Sequence, residues 1–87
     1  MNNNTEILRK KLIYRSQYRG TKEMDKLIGS FVKNYIDLFD SKDLMILEKF
    51  LDIDDQTLYK FYNNEITETK ILDNKISKLF KEFVNIK

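Results

Sequence analysis

The chain has no cysteine, no histidine and no proline, and only two glycines among its 87 residues. Each absence excludes something. Without cysteine there is no disulfide framework, no thiolate nucleophile and no mark of an oxidising compartment. With histidine missing as well, Ser-His and Cys-His pairs and the usual zinc sites are ruled out. A chain this poor in proline and glycine gives little support to strands joined by tight hairpins, so its apolar residues are better read as helical. No apolar stretch approaches the roughly 20 residues that span a bilayer. The opening MNNNTEILRKK has neither an apolar core nor a small-residue cleavage site, so it does not read as a secretory signal. A cytoplasmic protein is expected.

What remains is 41% hydrophobic and 34% charged, which suits a small globular chain with a modest core. A single helical domain over residues 1–87 is expected, with 1–5 and 85–87 frayed. A first helix should start after Thr5, whose hydroxyl can cap it, and run to about Tyr18 with Leu8, Leu12 and Ile13 inward. Gly20 then tolerates a left-handed backbone at the helix end. Met24, Leu27, Ile28, Phe31, Val32 and Tyr35 form one apolar stripe of a second helix. Gly29 within it reads as a close helix–helix crossing. FDSKDLMILEKFL predicts a third helix capped by Asp40 or Ser41, with Leu44, Leu47, Phe50 and Leu51 inward. Asp54 starts a short fourth helix that buries Leu58, Phe61 and Tyr62 and ends at Asn63 and Asn64. A fifth is expected from near Thr67, presenting Ile71 or Leu72, then Ile76, Leu79, Phe80 and Phe83. The expected fold is all-α, a small compact five-helix bundle with short connections.

Net charge is only +2, yet it is unevenly spread. Arg9, Lys10, Lys11, Arg15, Arg19 and Lys22 form a basic stretch with no acid among them. Asp37, Asp40, Asp43, Glu48, Asp52, Asp54 and Asp55 dominate the middle of the chain. This pattern predicts two surfaces of opposite sign and a charged partner for one of them. A nucleic acid is one candidate, through the basic first helix with Tyr14 and Tyr18 interleaved. Against it, the sequence pI of 8.8 falls short of the value above about 9 that marks a basic footprint, and carboxylates follow closely on Gly20.

Catalysis is poorly supported. GTKEMD has one glycine where a phosphate loop needs several. Glu23 and Asp25 lie two apart on a helix and point to different faces. Asp52, Asp54 and Asp55 sit where helix capping accounts for them. No catalytic, cofactor-binding or metal-ligating residue is assigned, and the chain reads as a binding protein, not an enzyme.

The stretch YRGTKEMD, residues 18–25, carries that reading. Singly, Gly20 can be a helix cap, Glu23 a first-turn acid and Arg19 a solvated cation. Together they predict a flat docking surface. A turn without a side chain lets another backbone approach, while Arg19 and Glu23 offer a donor fork and an acceptor. Tyr14, Arg15, Tyr18 and Asp25 surround them, and Arg and Tyr are the residue types that dominate interface hot spots.

RKKLIYRSQYRGTKEMDKLIGSF resembles the opening of the small FAD assembly factors of succinate dehydrogenase, the SdhE family, whose hallmark is R-G-x-x-E between the first two helices. Here those positions are Arg19, Gly20 and Glu23, with Asp25 following. FLDIDDQTLYKFYNN is similar to a later stretch of the same family. Thr21, where Met is frequent, Asp55, where Pro is common, and Phe61, where Trp is usual, depart from the pattern. The resemblance implies an assembly chaperone that binds the flavoprotein subunit of succinate dehydrogenase or fumarate reductase and promotes covalent FAD attachment there. The FAD then belongs to the client, and no tight FAD site is expected on this chain, which should be a monomer when free. The alternative is a small nucleic-acid-binding or antitoxin-like regulatory protein using the basic first helix.

Overall fold

The computed structural model describes residues 3–63, 65 and 74–83. Among them the chain forms five α-helices: α1 (Asn3–Gln17), α2 (Lys22–Tyr35), α3 (Ser41–Leu51), α4 (Asp55–Tyr62) and α5 (Lys75–Glu82). A 3-10 turn, Ile36–Leu38, continues α2. The all-α five-helix architecture expected from the sequence is the one observed.

Four of the helices open on a side-chain cap. Thr21, Asp40, Asp54 and Asn74 accept hydrogen bonds from the backbone N–H groups of Met24, Asp43, Thr57 and Ser77. Each cap satisfies a donor that a helix start leaves without an internal partner. Asp40 and Asn74 complete reciprocal capping boxes with Asp43 and Ser77. The expectation for α1 needs correction. It begins at Asn3, so Thr5 lies inside its first turn, and the Thr5 hydroxyl sits 3.5 Å from that of Ser41. Asn63 closes α4 as expected. Asn64, the positions expected to open the fifth helix (Thr67, Ile71 and Leu72) and residues 85–87 lie outside the described residues.

The apolar stripe of α2 is the centre of the core. Met24, Leu27, Ile28, Phe31 and Val32 are buried and Tyr35 packs at their edge. The Phe31 ring lies 5.4 Å from Tyr35, 6.0 Å from Phe50, 5.2 Å from Phe80 and 5.6 Å from Phe83, centroid to centroid. One side chain thus joins α2, α3 and α5. Leu12 of α1 and Leu58 and Phe61 of α4 close the remaining sides, and the Tyr62 hydroxyl donates to the Phe83 carbonyl at 2.5 Å. Gly29 is the close crossing anticipated for it. A Cβ there would lie 3.3 Å from Gln17 Cγ and 3.5 Å from the Ser16 carbonyl, so α1 approaches α2 almost to backbone contact.

Helix α1 runs alongside α3 in the same direction. Lys11 pairs with Glu48 at 3.8 Å, Arg15 with Asp52 at 2.6 Å and Arg19 with Asp55 at 2.5 Å, each step advancing both partners by three or four residues. Arg9 adds a bond to the Phe39 carbonyl at 2.7 Å, just before α3. The basic stretch and the acidic middle, expected as separate surfaces of opposite sign, are in large part laid against one another.

Candidate docking surface

The corner between α1 and α2 spans residues 18–21. Its backbone turns at Gly20, whose φ of +126° belongs to the region that L side chains rarely adopt. Gly20 is exposed, and a Cβ built on it would meet nothing within 4 Å. The glycine is therefore required by backbone geometry, and the space above it is open to an approaching chain.

Around this turn the side chains divide into two groups. Glu23 stands exposed in the first turn of α2, and none of the contacts among the described residues engages its carboxylate. Tyr14 on the outer face of α1 and Tyr18 just beyond its end are 63% and 66% exposed with ring centroids 4.5 Å apart. They line a shallow groove with Arg15, Arg19 and Leu51. Tyr14, Tyr18, Gly20 and Glu23 thus stand open to solvent.

The other group is turned inward. Arg15 is engaged with Asp52. Arg19 is held more thoroughly. Its Nε donates to Asp55 at 2.5 Å, its Nη1 to the Leu51 carbonyl at 2.8 Å and its Nη2 to the Ile53 carbonyl at 2.5 Å. Its side chain is 9% exposed. The donor fork expected to face a partner faces the chain's own α3–α4 turn instead. The reason lies at the end of α3, where Leu51 and Ile53 present carbonyls with no helical successor and Asp55 supplies a matching charge. Asp25 also looks inward, its carboxylate accepting the Arg19 backbone N–H at 2.5 Å.

Sequence reasoning missed four participants: Thr21 as the cap of α2, Asp55 as the counter-charge of Arg19, and the carbonyls of Leu51 and Ile53. Thr21 had a signal, since it stands three residues before the apolar stripe. Asp55 had a weaker one: Asp54 alone suffices to cap α4, which leaves its neighbour without a local role. Lys11 and Arg15, on the basic first helix through which a nucleic acid was to be bound, are paired within the chain, while Lys10 stays exposed. No helix among the described residues is long and apolar enough to cross a membrane.

Residues 10–84 match the family described as flavinator of succinate dehydrogenase. The chain is 36% identical over 81 residues to succinate dehydrogenase assembly factor 2, mitochondrial, of Scheffersomyces stipitis, an alignment covering 88% of this chain and 54% of that protein. It is 32% identical over 81 residues to the protein of the same name from Debaryomyces hansenii, covering 88% and 57%. It is 36% identical over 78 residues to the FAD assembly factor SdhE of Wigglesworthia glossinidia brevipalpis, covering 87% and 90%. The chain spans about half the length of the yeast relatives it matches and nearly all of the Wigglesworthia protein. No solved structure gives a significant match. A family match reaching from α1 through α5, on a five-helix fold with an open glycine corner, places the chain in the succinate dehydrogenase flavinator family.

Proposed function

We propose that this chain is a cytoplasmic assembly factor that binds the flavoprotein subunit of succinate dehydrogenase, or of the related fumarate reductase, and promotes covalent attachment of FAD to a histidine of that subunit. The family match over residues 10–84 carries the reading, and the exposure of Gly20 and Glu23 at an open corner supports docking there. The division of labour suits a chain with no histidine and no cysteine. The client supplies the nucleophile and the flavin supplies the electrophilic carbon. The factor acts by holding the client in a reactive arrangement, which lowers the barrier through positioning. In this reading it is a monomer when free, is not itself an enzyme, and leaves the FAD with its client.

The test is co-expression with a flavoprotein subunit, scoring co-purification and covalent flavin fluorescence after denaturation. The wild-type chain should bind the subunit and raise its covalent flavin. Gly20→Arg should lose both while its circular dichroism keeps the helical signature. Normal binding and maturation by Gly20→Arg would move the docking surface away from this corner. Co-purification with nucleic acid in place of the subunit would support the regulatory alternative.

A further inference from the structure

We infer that Asp55 is a positioning residue for the docking corner: with the Leu51 and Ile53 carbonyls it locks Arg19 inside the chain, so that the α1–α2 turn is already set when a partner arrives. The inference rests on the docking surface proposed above and explains how that surface keeps its shape.

The corner has little packing of its own. Gly20 has no side chain, and nothing lies within 4 Å of the position a Cβ would take. Thr21, Lys22 and Glu23 are all exposed. A short exposed turn of this kind samples many conformations unless something fixes it. Thr21 caps α2 on the far side of the glycine; on the α1 side, what fixes the turn is polar and converges on Arg19. The Arg19 backbone N–H is held by Asp25, in the first turn of α2. Its side chain is held by the turn that leaves α3. Arg19 therefore ties the corner to α2 through its main chain and to the α3–α4 turn through its guanidinium. The two ties fix the residue immediately before the glycine.

The chemistry is specific to arginine. The planar fork sends Nε, Nη1 and Nη2 to three different oxygens, and an ammonium group cannot reproduce that spacing. Asp55 is the only charged member of the receiving set, which gives it the largest share in holding the fork. With the guanidinium occupied, the charges left at the corner for a partner are those of the exposed Lys22 and Glu23. Direct contact and positioning then make opposite predictions for Asp55. If Arg19 bound the partner directly, removing its internal competitor would leave binding unchanged or strengthen it. If Arg19 sets the corner, removing Asp55 weakens binding although Asp55 itself faces inward.

The experiment uses the full chain as wild type, Asp55→Asn and Arg19→Lys, well below the melting temperature. Amide hydrogen exchange is measured at residues 18–23 and along α2, and affinity is measured for the purified flavoprotein subunit. Both variants should speed exchange at the corner while the α2 amides around Phe31 stay protected. Affinity should fall about tenfold if the set conformation drops to roughly a tenth of the population. Asp55→Glu, which keeps the charge, should recover part of the loss. Unchanged corner exchange, binding as tight as wild type or tighter, or acceleration spread equally through α2 would each overturn the inference. Should the wild-type chain fail to bind the subunit, the docking reading falls, and corner exchange alone decides whether Asp55 sets the turn.

Discussion

At Gly20 two properties that usually travel together are separated. The φ of +126° makes any L side chain unfavourable, at a cost of about 1–3 kcal/mol, yet no neighbouring atom would obstruct one. A substitution there strains the backbone and fills the approach path at once, so a loss of binding has two causes. Glu23 is the cleaner probe. Its carboxylate is exposed and unengaged among the described residues. Glu23→Ala should leave urea-unfolding stability within about 0.5 kcal/mol of wild type. If the group is buried on docking, calorimetric titration with the flavoprotein subunit should show affinity weakened by about 1–3 kcal/mol. Equal affinity would remove Glu23 from the docking surface. Asp25→Ala would be harder to interpret, because its carboxylate also holds the Arg19 backbone.

Among the elements, α1 shows how close the two helical faces come to balancing. Leu12 is buried, Leu8 and Ile13 pack against the core, and Ile7 and Tyr14 are exposed. The crossing with α2 at Gly29 supplies the close fit, and its tolerance can be forecast. Gly29→Ala brings a Cβ to 3.3 Å from Gln17 Cγ, the middle of a flexible side chain that can shift. Alanine recovers up to about 1 kcal/mol of helix propensity, so thermal melting should change little or rise slightly. Gly29→Val adds two methyls to a Cβ already 3.5 Å from the Ser16 carbonyl and should destabilise by about 1–3 kcal/mol, as overpacked cores do. Equal melting temperatures for the two variants would mean that the crossing is looser than described.

This contrast also explains what could be read in advance. The stripe Met24–Tyr35 and the caps Asp40 and Asp54 were legible because periodicity and capping act over a few residues. The 3-10 turn at Ile36–Leu38 and the cap at Asn74 were not picked out, since neither depends on an apolar stripe. At the glycine corner, the backbone demand at Gly20 and the exposure of Tyr14, Tyr18 and Glu23 follow from local features. The inward turn of Arg19 does not, because its three acceptors lie 32 to 36 residues further along the chain. Charge runs in sequence give the sign of a surface but not which surface it meets in the fold.

At the scale of the whole molecule, Phe31 joins the aromatic side of the core among the described residues. Phe31 is fully buried and touches aromatic rings from α3, from α5 and its C-terminal edge, and from its own helix. Phe31→Ala should cost about 3–5 kcal/mol, a large part of the 5–15 kcal/mol typical of a domain. Its thermal transition should broaden or vanish, whereas a two-state melt with only a small shift would show that the core has other support. The ion pairs between α1 and α3 belong to a different class. Exposed pairs such as Lys11–Glu48 contribute at most about 1 kcal/mol each. Their larger effect is on the surface field, since they cancel much of the basic stretch that a polyanion would need.

The reach of the Arg19 side chain bears on any attempt at miniaturisation. A synthetic hairpin of the first two helices would carry the tyrosines, the glycine and the glutamate in their native order. It would lack the carboxylate and both carbonyl oxygens that receive the guanidinium, all of which come from residues 51–55. Its arginine side chain would swing free and only the Asp25 tie would hold its bend, so a mimic or inhibitor cut from this corner must import those three acceptors or replace them with a covalent staple.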